Sequence, residues 1–237
     1  MSTEMVTEFL LFAFIAVLLG YIIFLHIQLA KKNIFIESTV KRLSGTEKSW
    51  NAEEMIRFLQ EMKKDSYYSL FFTDKLFEEK PLEFLLENEK DSKIYIHYTK
   101  EKNDARNILK EGFRFADSFY KTAMPVTSDK LDLLIKHNGR KSFGKYLVIL
   151  CLSCKIVEHY TAELNKKGLK NYFVENVLTI APPFKNENAD IVYQLSNKYV
   201  KGFIDYQTGE ITRNPEYNPS YDSPEFEKNL EQLIQKA

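Results

Sequence analysis

The chain has 237 residues, with 33 basic and 33 acidic side chains, 14% aromatic residues, 8 glycines and 2 cysteines. This composition indicates a packed globular protein and argues against a disordered or disulfide-stapled chain. A net charge of zero gives no electrostatic support for nucleic-acid binding at the level of the whole chain, and the scarcity of cysteine suits a reducing compartment.

The first feature along the chain is a run without charged residues from Phe9 to Ala30, bounded by Glu8 and by Lys31 and Lys32. About 22 helical residues rise roughly 33 Å, which is enough to cross a hydrocarbon core of roughly 30 Å. A signal peptide is the alternative, but the segment before the run is acidic, where a signal peptide is basic. The run therefore predicts a single-pass transmembrane anchor, with the N-terminus outside and the C-terminal part in the cytoplasm.

Residues 32–90 read as a juxtamembrane helical adaptor. Asn51 suits the N-cap of one amphipathic helix, and Pro81 suits the first turn of another. Residues 91–213 then combine strand and helix patterns, and residues 214–237 predict a C-terminal amphipathic helix. The predicted domains are thus residues 1–31, 32–90, 91–213 and 214–237, and the predicted fold class is α+β with a mixed sheet in the third of them.

Within the third domain, IYIHYT at 94–99 predicts a first strand, and a helix follows over Lys102–Glu111. The apolar stretch at 145–157 predicts a long buried central strand, and YFVENVLTI at 172–180 predicts a further strand. Because side chains alternate along a strand, His97 and Thr99 are expected on one face of the first strand and Tyr98 on the other.

Two motifs with known chemistry fail on their context. The sequence from Gly139 to Tyr146 nearly matches a phosphate-binding loop, but a helix precedes it and a strand follows, which reverses the required order. Cys151 and Cys154 have the spacing of zinc ligands, but on a strand their sulfur atoms would point to opposite faces. We therefore predict no metal site.

The strand bearing His97 and Thr99, followed by a helix that ends in Gly112 and Phe113, resembles the first half of the ADP-ribosyltransferase fold. The likeness is to the branch with H-Y-T or H-G-T in its first strand, which includes the PARP-like transferases. The resemblance implies that NAD is bound as a substrate. It places His97 on a ribose hydroxyl group, with Tyr98 and Thr99 beside the nicotinamide half.

The same resemblance implies an aromatic ring that stacks on nicotinamide, for which Tyr120 and Phe143 are the candidates. It also implies a carboxylate just before a later strand, where Asp190 stands, with Glu187 three residues earlier. The carboxylate would stabilise the charge that develops as nicotinamide leaves. Aspartate is one methylene shorter than the usual glutamate, which argues against full catalytic competence.

The sequence thus predicts a membrane-anchored cytoplasmic protein that binds NAD and transfers ADP-ribose or hydrolyses NAD. The expected partners are the lipid bilayer, NAD, and a protein acceptor or membrane protein, whereas nucleic acid is not expected. Two alternatives stay open: a catalytically silent, membrane-tethered interaction module on the same fold, and an RNA 2′-phosphotransferase, which needs a basic cleft. The simpler interpretation of the two strand residues is that His97 has a structural role and that Thr99 caps the following helix.

Overall fold

A computed structural model of the chain describes residues 14–15, 17–25, 52–64, 72–87, 90–126, 132–180 and 183–236. The chain forms two compact units, residues 1–48 and residues 49–237. Asn51, the predicted N-cap, lies outside the described residues. The finer domain boundaries after residues 31, 90 and 213 stay predictions.

The predicted transmembrane helix from Phe9 to Ala30 is wrong: in the part of the chain that the structure describes, no helix is long and apolar enough to cross a membrane. The described residues of that run are 14–15 and 17–25, all helical. The predicted single-pass topology and the localisation derived from it lose their support with this helix.

The second unit is α+β, as the sequence predicts. Its described helices are α1 (Ala52–Lys64), α2 (Glu79–Leu86), α3 (Lys102–Glu111), α4 (Phe119–Thr122), α5 (Asp132–Arg140), α6 (Cys154–Lys166), α7 (Val174–Val177) and α8 (Pro224–Lys236). Its described strands are β1 (Ser92–Thr99), β2 (Phe113–Ala116), β3 (Met124–Val126), β4 (Tyr146–Ser153), β5 (Phe184–Lys185), β6 (Ile191–Leu195), β7 (Val200–Asp205) and β8 (Glu210–Arg213).

The strands form two sheets, one in the order β3-β1-β4-β7-β8 and one in the order β2-β6-β5. The predicted mixed sheet is wrong, because every pair of neighbouring strands in the described ranges is antiparallel. Antiparallel neighbours need no crossover helix, so helices that alternate with strands along a sequence do not by themselves require parallel pairs.

The larger sheet is covered on both faces, and β1 supplies side chains to each. Tyr95 points into the main core, which α6 and α8 cover with Tyr160 and Phe226. Tyr98 points to the opposite face and contacts His137 of α5. The alternation predicted for β1 is thereby confirmed, and it decides which of its residues can share a site.

Two strand predictions differ from the structure: one strand is shorter than predicted, and the other is replaced by a helix. The apolar stretch at 145–157 stays in β4 only to Ser153, and α6 begins at Cys154. From there the buried residues follow a helical spacing, with Ile156, Tyr160 and Leu164 four residues apart. The segment at 172–180 contains the short helix α7 instead of a strand.

Gly112 sets the start of the smaller sheet. It ends α3 with a φ angle of +100°, which favours glycine. A β-carbon at this position would lie 2.2 Å from the carbonyl oxygen of Leu195. The absence of a side chain therefore lets β2 approach β6, with Phe113 paired to Leu195.

Candidate functional site

His97 lies on the core-side face of β1 and is partly exposed. Its Nδ1 is 2.9 Å from the carbonyl oxygen of Thr122, at the end of α4. A carbonyl can only accept a hydrogen bond, so Nδ1 carries the proton and donates it. Within the described ranges, Nε2 makes no hydrogen bond, and its lone pair is therefore available as an acceptor.

A buried carboxylate lies on the same face of β1. Glu175, in α7, is 1% exposed, and one of its oxygens, Oε1, accepts hydrogen bonds from the hydroxyl groups of Tyr95 at 3.0 Å and Tyr120 at 2.8 Å. Tyr95 is buried and Tyr120 is 39% exposed. The arrangement therefore links a buried negative charge to an aromatic ring at the surface.

Aromatic contacts join His97 to this Glu175 network. The His97 ring is 5.1 Å from the ring of Phe113, which is 5.9 Å from Phe119. Phe119 in turn contacts both Tyr95, at 4.8 Å, and Tyr120, at 5.7 Å. His97 and Tyr95 are two residues apart on one face of a strand, about 7 Å between α-carbons. The structure thus brings His97, Tyr120 and Glu175 into one region.

The position of Glu175 depends on the C-terminal helix. The side-chain amide of Asn229, in α8, donates to the carbonyl oxygens of Val177 at 3.1 Å and Thr179 at 2.7 Å. Asn229 is itself buried. These hydrogen bonds hold the backbone just after Glu175, so α8 fixes the helix that carries the carboxylate.

Burial and charge shift the pKa values of this region. Burial lowers the pKa of His97, against the opposing effect of its hydrogen bond to Thr122, so the imidazole is neutral at neutral pH. Burial and the nearby charge of Glu175 raise the pKa of Tyr120 to about 12. The same causes raise the pKa of Tyr95. Both tyrosines therefore keep their hydroxyl protons and act as donors to Glu175.

Thr99 shares the face of His97 but has a partner of its own. Its hydroxyl donates to Asp104 Oδ2 at 3.2 Å, in the first turn of α3, and the residue is buried. The N-cap of α3 is Glu101, so Thr99 does not cap this helix through its backbone position. Gly144 passes close to Thr99, where a β-carbon would meet the Thr99 carbonyl at 2.2 Å.

Tyr98 belongs to a separate cluster on the other face of the sheet. Its hydroxyl is 2.8 Å from Nδ1 of His137, whose Nε2 is 3.0 Å from Asp74 Oδ2. Lys141 donates to the same Asp74 oxygen at 2.8 Å. Burial lowers the pKa of His137 to about 4, so the ring is neutral and donates from Nε2 to the carboxylate. The structure does not bring Tyr98 together with His97.

Phe143 also lies apart from Tyr120. It is 55% exposed at the end of a 3₁₀ turn, Lys141–Phe143, and the guanidinium group of Arg140 lies 5.3 Å from its ring centre. No ring contact in the described part of the chain joins it to Tyr120. Of the two aromatic candidates, Tyr120 is the one beside the His97 face.

Asp190 and Glu187 lie in the turn between β5 and β6. Asp190 Oδ2 accepts a hydrogen bond from the side chain of Asn186 at 3.0 Å, and Glu187 is exposed in the same turn. Leu195, at the other end of β6, pairs with the strand residue whose ring contacts His97. Asp190 is five positions before Leu195, about 17 Å along a strand. The structure does not bring the two predicted carboxylates to His97.

Sequence reasoning missed Glu175 because it read 172–180 as a strand. The signal that identifies it is the apolar spacing of Val174, Val177 and Leu178, which is helical and places Glu175 beside the buried positions. The tyrosine hydroxyls that make its burial tolerable come from β1 and α4, 80 and 55 residues away in sequence. That pairing has no local signature.

Other features of the described residues carry less chemistry. They contain no cluster of three or more His, Cys, Asp or Glu side chains arranged to hold a metal ion. A groove of about 910 Å³ between α1, α2 and β8 is lined by a mixture of acidic, basic and apolar residues, among them Ile56, Arg57, Glu83 and Arg213. No predicted site residue lines this groove.

Comparison of the chain with protein-family models, with curated proteins and with solved structures gives no match.

Proposed function

We propose that this chain binds NAD on the His97 face of β1, beside Tyr120, in an ADP-ribosyltransferase-like domain. The ligand class comes from the resemblance in the first strand. The observation that carries the proposal is the state of His97: a neutral imidazole, fixed through Nδ1, with Nε2 free on a partly exposed face.

Each residue of the site has a role in this proposal. His97 Nε2 accepts a hydrogen bond from a ribose hydroxyl group, which a neutral imidazole does and a protonated one does not. The exposed ring of Tyr120 stacks on the nicotinamide ring, whose positive charge favours an aromatic face. Glu175 is a positioning residue, because it holds the Tyr120 hydroxyl without itself being exposed.

Transfer of ADP-ribose would break the bond between C1′ of the ribose and the nicotinamide nitrogen. Nicotinamide leaves with the bonding electron pair, and the acceptor, or water in NAD hydrolysis, forms the new bond to C1′ and loses a proton. The distant positions of Asp190 and Glu187 favour a second candidate function, a catalytically silent interaction module that binds NAD without turnover.

Calorimetric titration of the full chain with NAD tests the binding site. The loss of one hydrogen bond in His97→Ala should weaken binding about 2- to 12-fold. His159→Ala is the matched control, because His159 is an exposed histidine on α6, away from β1. Absence of NAD binding, or equal affinities of the two variants, would refute the proposal.

Two variants of Tyr120 distinguish the contribution of its ring from that of its hydrogen bond to Glu175. Tyr120→Ala should weaken NAD binding about 2- to 30-fold, whereas Tyr120→Phe keeps the ring and should retain most of the affinity. ADP-ribose, which lacks nicotinamide, should bind the wild type and Tyr120→Ala with similar affinity. A loss of ADP-ribose affinity in Tyr120→Ala would contradict the assignment of Tyr120 to nicotinamide.

Turnover distinguishes the two candidate functions. Incubation of the wild type with NAD, followed by chromatographic measurement of free nicotinamide, detects both transfer to water and transfer to an acceptor on the protein itself. Release that is abolished in His97→Ala supports an enzyme. Saturable NAD binding without release supports the silent module.

A further inference from the structure

Three exposed aromatic side chains lie at the candidate site or in the segment that leads into α7. Tyr120, Tyr172 and Phe173 are 39%, 40% and 46% exposed. The rings of Tyr120 and Phe173 lie 5.3 Å apart and are tilted by 58°. Rings of this size are seldom left in water without a role when they form a contiguous patch.

Lysines accompany these rings. Lys121 follows Tyr120 in sequence, and Lys167 and Lys170 precede Tyr172 in the loop between α6 and α7. All three are exposed, and none forms an ion pair with another described residue. Residues 164–174 contain no Asp or Glu. We name Tyr120, Lys121, Lys167, Lys170, Tyr172 and Phe173 the aromatic–lysine surface. Its three lysines outnumber the two carboxylates beside it in sequence that have no lysine partner, exposed Asp117 and buried Glu175, whereas Glu163 is paired with Lys166.

The backbone that carries most of this surface is hydrogen-bonded and anchored. Leu169 is 6% exposed, and its amide donates to the carbonyl oxygen of Leu164 at 2.9 Å. The amide of Tyr172 donates to the carbonyl of Leu169 at 3.1 Å. Buried Val174 follows Phe173 directly. A partner that binds these rings therefore meets a preorganised platform and orders little additional chain.

We propose that the aromatic–lysine surface binds single-stranded nucleic acid, with bases stacked on the rings and phosphates on the lysines. Exposed rings alone would suit any apolar partner, but rings interleaved with lysines match a chain that alternates flat bases and negative charges. Duplexes bury their base faces, so the rings select unpaired strands. Tyr120 belongs both to this surface and to the proposed NAD site, whereas Phe173 and the three lysines belong to this surface alone.

The zero net charge of the chain does not oppose this interaction, because the attraction depends on local charge. The aromatic–lysine surface carries three lysines without ion-pair partners among the described residues. Electrostatic attraction to phosphates depends on charges within about 8 Å at physiological salt, not on the total. The expectation that nucleic acid is not a partner rested on the total alone.

Fluorescence anisotropy of labelled oligonucleotides, about 12 nucleotides long, with the full chain tests the proposal. Oligo(dT) and oligo(U) serve as separate DNA and RNA arms, and a duplex of equal length serves as a comparison. Three phosphate contacts predict that log K falls with log salt with a slope of about −2. Phe173→Ala should weaken binding about 5- to 150-fold.

The β5 strand offers a matched control. Phe184 is 49% exposed and is followed by Lys185, which is also exposed, but both lie near the acidic turn. Phe184→Ala should leave oligonucleotide binding unchanged. Charge reversal in Lys167→Glu and Lys170→Glu, at exposed positions that do not affect folding, should abolish binding at 150 mM salt while circular dichroism stays native.

Several results would overturn the proposal. These are no binding of either oligonucleotide at 50 mM salt, equal losses in Phe173→Ala and Phe184→Ala, or a duplex that binds as tightly as the single strands. Self-association that Phe173→Ala removes, without oligonucleotide binding, would instead assign the surface to a second copy of the chain. His97→Ala should bind oligonucleotides normally, so failure of NAD binding and failure of this proposal are distinguishable.

Discussion

Replacement of Glu175 by alanine tests whether the buried carboxylate organises the candidate site. Two hydroxyl groups depend on its Oε1 atom, and their exposures differ: Tyr95 is 1% exposed and Tyr120 is 39% exposed. In Glu175→Ala, the Tyr95 hydroxyl loses its carboxylate acceptor while it stays buried. The Tyr120 hydroxyl can turn to water instead.

The magnitudes follow from these exposures. An unsatisfied buried hydroxyl costs about 1–3 kcal/mol, and a hydrogen bond to a charged group contributes about 1.5–3 kcal/mol, so Glu175→Ala should lower the free energy of unfolding by about 2.5–6 kcal/mol. Tyr95→Phe removes the donor together with its hydroxyl and should cost about 1–2 kcal/mol. Tyr120→Phe should cost less than about 1 kcal/mol, because water already reaches its hydroxyl.

Urea unfolding at pH 7.5, followed by far-UV circular dichroism, measures these three free energies. The expected order of destabilisation is Glu175→Ala, then Tyr95→Phe, then Tyr120→Phe. Tyr95→Phe combined with Glu175→Ala should be less damaging than the sum of the single changes, because the orphaned hydroxyl is gone. A Glu175→Ala protein within 0.5 kcal/mol of the wild type would show that the network contributes no stability and would refute the reasoning.

Three further predictions concern other parts of the fold. Burial lowers the pKa of His137 to about 4, against about 6.5 in the unfolded chain, so the unfolded chain binds the proton more readily. The free energy of unfolding should therefore fall by about 3 kcal/mol as the pH drops from 6.5 to 4. Urea unfolding should show a smaller fall for His137→Gln. Gly112→Ala should lower the free energy of unfolding by at least about 2 kcal/mol, because the residue has a positive φ and its β-carbon would meet a carbonyl oxygen. A β-carbon at Gly139 would have no atom within 4 Å, so Gly139→Ala should stay within about 1 kcal/mol of the wild type in the same assay. Lys201 is 3% exposed, and its Nζ forms an ion pair with Glu87 but no hydrogen bond. Lys201→Met should therefore be neutral or stabilising by up to about 2 kcal/mol in thermal unfolding. Glu87→Gln should destabilise the wild type but should have no further effect on Lys201→Met.

The sequence correctly predicted those helices and strands whose ends and faces are set by neighbouring residues. The helix predicted over roughly Lys102–Glu111 is confirmed, with its C-terminal end at Gly112, and the alternation along β1 gave the correct faces. The 145–157 stretch was read too far as a strand, because continuous apolar residues suit a buried strand and a buried helix equally. The helical spacing of Ile156, Tyr160 and Leu164 begins only after Cys154, and in the structure Tyr160 packs against Phe226 of α8.

The candidate site was predictable only in part for a related reason. His97 and Tyr120 were identified as residue types in a plausible order, and the structure brings them together through Phe113 and Phe119. The carboxylate was sought in front of β6, at Asp190, but the one beside Tyr120 comes from α7. Position along a sequence cannot specify which of 33 acidic residues is buried against a tyrosine hydroxyl.

Two histidines lie on opposite faces of β1: His97 belongs to the strand, and His137 contacts it from α5. Together they show how structural and binding roles can be distinguished. His137 is fully buried, and its two ring nitrogens have partners in Tyr98 and Asp74, so a ligand would have to break a satisfied network to reach it. His97 uses only Nδ1 among the described residues, and the residue is partly exposed. Burial lowers both pKa values, so titration does not separate them. What separates them is the unused acceptor, and for that reason ligand binding is expected at His97, whereas loss of His137 is expected to affect stability.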